Sequence, residues 1–403
     1  MVKKKNDSER FIVPGFLASG ISSGIKGNKE KDLGLIYSEI PAATAAVFTQ
    51  NRVKAAPVLL SMGRVKRHLC QAVVVNSGNA NACTGKAGLS DAYSTAGQTA
   101  QRLGIDEALV MVASTGVIGK RLPVDRIHRN IPQLVEGLTP DGILSAAQAI
   151  LTTDTQPKVV IRKEVINDKE FTICGIAKGA GMIMPNMATL LSFILTDAAI
   201  EAETLENVFK EGIRCSFNRI TIDGDTSTND MAMIMANGKA ENPLMTKSSG
   251  CVGRFGELLS EVLTKLAMMI VKDGEGATKF VEISVVNAKG ESDALRAALN
   301  IANSNLVKTA FFGEDCNWGR IVSAVGASGA DIDIDKIDVS FDDILVVSKG
   351  ISTGYEQEER AHRVLEREEF KVVVDLNCGL GKAKVFTTDL SPEYININAN
   401  YRS

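Results

Sequence analysis

Short strand-like runs alternate along this chain with longer stretches of helical periodicity, and this mixture constrains the fold most. Residues 72–75 and 280–285 are rich in β-branched residues and lie close to turn-forming residues. Residues 255–271 instead repeat their apolar side chains at helical spacing. Residues 159–166 and 171–176 are joined by so short a connection that an antiparallel hairpin is expected. Strands found both in pairs and between helices predict an α+β fold of packed layers rather than a doubly wound parallel sheet.

The chain has no clear domain boundary in its sequence. Its 403 residues suffice for two ordinary domains or for one large unit. No repeat, low-complexity tract or Pro/Gly/Ser-rich linker divides them. The best division is chemical, between Ala188 and Thr189, and it predicts segments 1–188 and 189–403.

Composition excludes several classes of partner. The net charge of −3 and the aromatic fraction of 5% offer neither a basic footprint nor stacking platforms for nucleic acid. No apolar run reaches the roughly 18 residues that span a bilayer, and the first ten residues lack the apolar stretch of a signal peptide. The seven cysteines are scattered without a CxxC pair, which fits a reducing compartment. We therefore expect a cytoplasmic protein that binds neither nucleic acid nor membrane.

Histidine, metal and phosphate chemistry are disfavoured in turn. The three histidines, His68, His128 and His362, each stand next to or one residue from a basic side chain, and a neighbouring positive charge weakens a histidine as a proton acceptor. The glycine-rich stretch 78–87 imitates a phosphate-binding loop, but its spacing is too long and Ala87 replaces the hydroxyl that would hold magnesium. We expect no metal and no organic cofactor.

The segment from Lys178 to Thr189, Lys-Gly-Ala-Gly-Met-Ile-Met-Pro-Asn-Met-Ala-Thr, is the strongest candidate for chemistry. Glycines let a backbone adopt tight conformations, and such a turn could press the Thr189 hydroxyl onto the Ala188 carbonyl. Cleavage there would leave a threonine whose own amine can activate its hydroxyl. The alternative is an ordinary strand residue, because the run that follows, residues 190–195, has the pattern of a buried strand.

Three further segments carry candidate groups. Thr115 and Gly116 follow a strand and could present a hydroxyl and a backbone N–H as an oxyanion hole, or form a simple turn. Glu275 lies in a charged glycine-rich loop, where it could bind an ammonium group or relay protons, or merely be solvated after a helix end. The acidic loop 221–230 lacks the spacing of a calcium loop, so we interpret it as a structural turn.

Several motifs, in order along nearly the whole chain, resemble those of the ornithine acetyltransferase family, also called glutamate N-acetyltransferases. The segment from Lys178 to Thr189 is closely similar to the signature of that family. The other similar stretches are residues 76–85, 113–119, 152–158, 274–279, 317–320 and 397–403.

The resemblance implies a fold, a reaction and a set of residues. The fold is a layered αββα sandwich of the ornithine acetyltransferase and DmpA type. The precursor cuts itself between Ala188 and Thr189, and the resulting α and β chains stay associated, typically as an α2β2 heterotetramer. Thr189 then takes the acetyl group of N-acetylornithine and passes it to glutamate, within arginine biosynthesis. The resemblance assigns Thr115 and Gly116 to the oxyanion hole, and assigns substrate binding to Thr155, Lys178, Thr189, Glu275, Asn398 and Ser403.

These roles agree with the residue types. Both substrates carry an α-carboxylate, which suits Lys178 or the amide of Asn398, and an acetyl-threonine intermediate predicts ping-pong kinetics. The sequence leaves open whether acetyl-CoA is a second acetyl donor. It also leaves open a self-processed aminopeptidase or amidase of the same fold and, in another class, an unprocessed binding protein.

Overall fold

The computed structural model describes residues 11–166, 169–184 and 190–400. The strands are β1 (Phe16–Ile21), β2 (Leu33–Phe48), β3 (Leu69–Asn76), β4 (Val110–Ser114), β5 (Lys158–Ile166), β6 (Lys169–Lys178), β7 (Leu191–Thr196), β8 (Met231–Ala236), β9 (Phe280–Ala288), β10 (Asp338–Phe341), β11 (Ile344–Ser348), β12 (Ile351–Ser352), β13 (Glu369–Asp375) and β14 (Gly381–Thr388). The helices are α1 (Ala56–Arg64), α2 (Gly85–Leu103), α3 (Val124–Glu136), α4 (Ile143–Ala149), α5 (Ala202–Cys215), α6 (Val252–Lys272), α7 (Glu291–Ala302), α8 (Asn305–Phe312), α9 (Trp318–Gly326), α10 (Tyr355–Leu365) and α11 (Pro392–Asn400).

These strands form two mixed sheets. The first has the order β4-β3-β2-β8-β7-β6-β5, with β1 paired to β2, and the second has the order β12-β11-β10-β13-β9-β14. Parallel pairs (β3 with β4, β7 with β8, β9 with β13) occur beside antiparallel ones in the same sheets. The α+β sandwich expected from the sequence is therefore confirmed, and antiparallel pairs within both sheets distinguish the described fold from a doubly wound parallel sheet.

Helix α6 shows how the apolar pattern produces the core. Its buried residues recur at helical spacing, from Phe255 through Leu259 and Val262 to Leu266 and Ile270. That face packs against β5 and β6 of the first sheet and also contacts β14 of the second, so one helix covers parts of both. The expected hairpin is confirmed as well, because β5 and β6 pair antiparallel along their length.

The predicted division at Ala188–Thr189 lies outside the described residues. On its two sides, β6 and β7 pair as neighbouring antiparallel strands, and α5 and α6 share one buried core with residues of β5 and β6. The segments 1–188 and 189–403 thus contribute to one sheet and one core rather than to separate globules.

The pairing of β7 with β8 positions the candidate site. Leu191 lies opposite Met231 in this parallel pair, so Leu190 and Asp230, which precede them, come side by side at one end of the sheet. The end of β6, at Lys178, pairs with Leu191 and reaches the same place. Helices of the described residues are all too short or too polar to cross a membrane.

Candidate active site

A cavity opens at this end of the first sheet and collects residues from distant parts of the chain. Its lining includes Thr115 and Gly116 after β4, Lys178 at the end of β6, and Glu275 after α6. Asn398 of the last helix, α11, completes one side. Five of the residues that the sequence singled out therefore lie around one cavity, although they span almost 300 positions of the chain.

Lys178 is held against Thr115. Its Nζ donates a hydrogen bond of 3.1 Å to the Thr115 hydroxyl, and the exposed fractions of the two residues are 9% and 8%. Burial lowers the pKa of Lys178, while the nearby carboxylates of Asp154, Asp230 and Glu275 act in the opposite direction. Because the hydroxyl oxygen accepts from Lys178, its own hydrogen is free to point elsewhere.

The turn at Thr115 and Gly116 fits only a glycine at its second position. The Thr115 backbone N–H donates to the Asn76 carbonyl, so it is used within the fold. Gly116 has a φ of +126°, and a Cβ there would overlap the carbonyl carbon of Gly78. Isolated bridges from Asn79 to Thr115 and Val117 hold this turn beside Gly78. The Thr115 hydroxyl and the Gly116 N–H are the hydrogen-bond donors of this turn that an oxyanion hole would require.

Behind Lys178 lies a buried network of charges. Asp154 Oδ1 accepts from Lys158 Nζ at 2.7 Å and from the Gly179 N–H at 2.6 Å. Lys158 Nζ also donates to Asp273 Oδ2 at 2.5 Å. Burial opposes ionisation of Asp154, but Lys178 and Lys158 outweigh it and lower its pKa to about 2. The network fixes the backbone just after Lys178.

Thr155 belongs to this network rather than to the cavity lining. Its hydroxyl donates to Asp273, and its backbone N–H donates to Asp273 Oδ2 at 3.1 Å. The neighbouring residues Thr152 and Thr153 line the cavity instead. In this structure Thr155 therefore contributes to the support of the site, apart from the residues that face the open space.

Glu275 and the glycine-rich loop fit together closely. Asn398 Nδ2 donates to Glu275 Oε2 at 2.8 Å, and the Glu275 N–H donates to the Ala180 carbonyl at 2.8 Å. A Cβ at Gly181 would overlap the Glu275 carboxylate. The second glycine of the motif thus leaves room for the close approach of an acidic side chain.

Asp223 holds the other end of the same loop. Its two carboxylate oxygens accept the Met182 N–H at 2.6 Å and the Ile183 N–H at 2.9 Å. Met182 has a φ of +58°, a conformation that a non-glycine residue adopts rarely. The Tyr394 hydroxyl of α11 also donates to Asp223 at 3.1 Å. Asp223 therefore joins a strained loop to the last helix.

The sequence interpretation missed the importance of the loop 221–230, which we expected to be only a structural turn. Besides Asp223, it supplies Asn229, whose Nδ2 donates to the Ala80 carbonyl at 2.6 Å and to the Ser114 carbonyl at 2.8 Å. It also supplies Asp230, which lines the cavity. The signal available in the sequence was the concentration of carboxylate and amide residues, but the two carbonyl partners of Asn229 are more than one hundred positions away.

Other expected residues lie outside the described part of the chain: the nucleophile Thr189, the cleavage partner Ala188 and the substrate residue Ser403. Their roles stay predictions. Among the described residues, no cluster of three or more His, Cys, Asp or Glu side chains is arranged to hold a metal ion.

Comparison with known proteins gives a consistent result over the whole chain. A model of the ArgJ family matches residues 17–403. The arginine biosynthesis bifunctional protein ArgJ of Geobacter sulfurreducens is 54% identical over 391 residues, which cover 97% of this chain and 100% of that protein. The protein of the same name from Caldanaerobacter subterraneus is 50% identical over 401 residues, covering 98% of this chain and 99% of the relative.

A solved structure is also similar. The crystal structure of arginine biosynthesis bifunctional protein ArgJ from Bacillus halodurans matches with 40% identity and a TM-score of 0.50, covering 52% of this chain and 98% of the solved chain. The solved chain is thus about half as long as this one.

Proposed function

Because this chain belongs to the ArgJ family, we propose that it moves an acetyl group from N-acetylornithine to glutamate in arginine biosynthesis. In this proposal the precursor cuts itself between Ala188 and Thr189, and Thr189 carries the acetyl group between the two substrates. The observation that carries the proposal is the hydrogen bond from Lys178 to the Thr115 hydroxyl beside Gly116, in a cavity that residues on both sides of the proposed cut build together.

The first half-reaction requires stabilisation of a tetrahedral oxyanion. With Lys178 donating to its oxygen, the Thr115 hydroxyl can direct its hydrogen into the cavity, next to the Gly116 N–H. Two donors fixed in advance, with a buried ammonium behind one of them, stabilise developing negative charge at no cost of reorganisation. Lys178 therefore acts on the transition state in this scheme, in addition to any attraction for a substrate carboxylate.

The second feature that the proposal uses is the pair of Glu275 and Asn398. Glu275 presents a carboxylate to the cavity, as is suited to an ammonium group of ornithine, and Asn398 can serve a carboxylate through its amide. Thr155 supports the network behind Lys178, because Asp273 accepts from both Thr155 and Lys158. No metal or organic cofactor takes part in the proposed reaction.

Two further parts of the proposal concern the assembly and the donor. The chain of the solved relative is about half as long as this one, as expected for a protein present as two fragments, and we propose α and β chains in an α2β2 assembly in the cytoplasm. The relatives are named bifunctional, which favours acetyl-CoA as a second acetyl donor for glutamate.

Mass spectrometry of the purified protein tests the proposal. We expect two fragments that meet at Ala188–Thr189, and incubation with N-acetylornithine alone should add one acetyl group to the fragment that begins with Thr189. Glutamate should then remove it as N-acetylglutamate. Thr189→Ala should remain a single chain and stay unacetylated, since one hydroxyl serves both steps.

The alternatives give different results in the same assay. A full-length wild-type protein would indicate an unprocessed binding protein. Acetate could also be released in the absence of glutamate. If this release is as fast as acetyl transfer to glutamate, the protein is a hydrolase of the same fold. Replacing N-acetylornithine by acetyl-CoA then decides whether the protein uses the second donor.

A further inference from the structure

Asp230 is a buried carboxyl group whose hydrogen bonds are incomplete. It directly precedes β8, lines the cavity, and is only 2% exposed. Within the described part of the chain, its Oδ2 has no hydrogen-bond partner. Lys178, a cation that lines the same cavity, donates to Thr115 instead. A buried polar atom without a partner costs free energy, so its retention in a cavity indicates a group that binds there.

A ligand atom can become the missing partner of Asp230 Oδ2 only by forming a hydrogen bond with it. A carboxylate oxygen accepts a hydrogen from an N–H or O–H group, and the protonated carboxyl donates one. In an acetyl transfer between amino groups, the nitrogen that leaves the donor needs a proton, and the nitrogen that attacks the acetyl-enzyme must lose one. One carboxyl group beside the oxyanion site can do both in turn.

On the basis of the acetyl transfer proposed above, we propose that Asp230 is the general acid for the departing amine and the general base for the incoming one. In the first half-reaction, the Thr189 oxygen bonds to the acetyl carbon and the amide C–N bond breaks. The Thr189 hydroxyl proton goes to the Thr189 amine, and the Asp230 carboxyl proton goes to the leaving nitrogen. In the second, the acceptor nitrogen bonds to the acetyl carbon, gives a proton to Asp230, and the Thr189 oxygen recovers its proton.

The surroundings of Asp230 suit this cycle. Burial raises its pKa well above the usual value, against the opposing effects of Lys178, Ser227 and the Leu190 backbone, which favours the protonated carboxyl that the first half-reaction requires. Among the residues that the structure describes, the other charged groups around the cavity are Lys178 and Glu275, with Asp154 and Lys158 behind Lys178. Transfer from an amide donor should therefore slow as the pH rises through the pKa of Asp230.

The decisive test varies the leaving group. Acetylation of the protein in a single turnover is measured with N-acetylornithine, whose amine must be protonated, and with p-nitrophenyl acetate, whose phenolate leaves unprotonated. For Asp230→Asn we expect a loss of about 10²–10⁴-fold with the amide and a much smaller loss with the ester. Equal losses with both donors, or no loss with the amide, would overturn the assignment.

Asp197→Asn is the matched control, because Asp197 is also a buried aspartate. It follows the last residue of β7, whereas Asp230 lies beside the first residues of that strand. Its carboxylate accepts from the Thr172 N–H. The substitution should change both donor rates by the same factor. If Asp230→Asn is not cleaved or does not fold, the pH dependence of the wild-type protein still tests the role of Asp230. The rate of acetylation by N-acetylornithine should fall at alkaline pH while the rate with p-nitrophenyl acetate does not. Parallel pH profiles for the two donors would refute the role of Asp230.

The wild-type rates separate this inference from the proposed function. A wild type that takes acetyl from the ester and not from N-acetylornithine refutes the donor named above. A wild type acetylated by neither refutes the acetyl-enzyme scheme and the role of Asp230 with it.

Discussion

Two buried lysines on neighbouring strands, Lys158 and Lys178, have opposite surroundings. Lys158 is fully buried at the start of β5 and forms ion pairs with Asp154 and Asp273. Lys178 lies at the end of β6, one position along from Ala177, the partner of Lys158, and donates to a hydroxyl group in a cavity. Lys158 is therefore a structural charge with two ion-pair partners, whereas Lys178 makes no ion pair among the described residues and lies where the proposed acyl transfer would develop charge.

The comparison shows how a fold can keep a reactive group in place. A lysine paired with two carboxylates fixes the backbone around it, here through Asp154 and the Gly179 N–H. Lys178 then needs no ion-pair partner of its own, because the network of Asp154 and Lys158 already fixes the backbone beside it. The difference between the two is testable, since one substitution should mainly affect stability and the other mainly activity.

Lys158→Met should have the largest effect on stability. It leaves Asp154 and Asp273 buried without their common cation, and breaking a buried ion pair from one side costs about 3–5 kcal/mol. Denaturant unfolding measures the loss, best in the Thr189→Ala background, where the proposal expects one uncut chain. Lys163→Met on the same strand is the control, because its exposed pair with Glu170 contributes about 0–1 kcal/mol. Similar losses for both variants would contradict the distinction.

Lys178→Met should mainly impair catalysis. Loss of one oxyanion-hole donor costs roughly 10²–10³ in kcat, and the Thr115 hydroxyl would lose the group that orients it. The expected change is thus in kcat more than in KM. Steady-state kinetics with N-acetylornithine and glutamate measure it, with the folded fraction determined in parallel. A rise in KM at unchanged kcat would show that Lys178 acts only by attracting a substrate carboxylate, the role that the sequence first favoured.

The sequence was informative about local structure and less so about this comparison. Hairpin β5–β6 and helix α6 follow from apolar periodicity, a local property. The residue pattern singled out the segments of Lys178, Thr115 and Glu275, the resemblance to a family assigned their roles, and these residues lie around one cavity. Asp154 and Asp230 gave no comparable signal, because the surroundings of a charge depend on tertiary contacts. The partners of Lys158, for instance, include a residue 115 positions away.

Asn229→Ala should have a smaller effect that still extends to the oxyanion site. The substitution leaves the buried Ala80 and Ser114 carbonyls without their donor, and an unsatisfied buried group costs about 1–3 kcal/mol. Because the Ser114 carbonyl directly precedes Thr115, we expect kcat to fall as well. Thr228→Ala, next in the chain, removes only the hydroxyl that donates to the Asn229 side chain and should have the milder effect. Equal kinetics for the two variants would argue against a link from Asn229 to catalysis.

The smallest effect is expected on the pH dependence of stability, which should also distinguish the surroundings of the two lysines. The folded-state pKa of Asp154 is about 2, below its unfolded value of about 3.9. Its contribution to stability is therefore complete above the unfolded pKa and is lost as the pH falls toward 2. Asp230 has a raised pKa, so it destabilises the fold at neutral pH relative to acid.

Denaturation midpoints from pH 7 down to acid should thus fall less steeply in Asp154→Asn than in the wild type. In Asp230→Asn they should fall more steeply, because the relief that protonation of Asp230 gives the wild type is gone. Identical slopes in all three proteins would mean that neither carboxyl group differs in pKa between the folded and unfolded states.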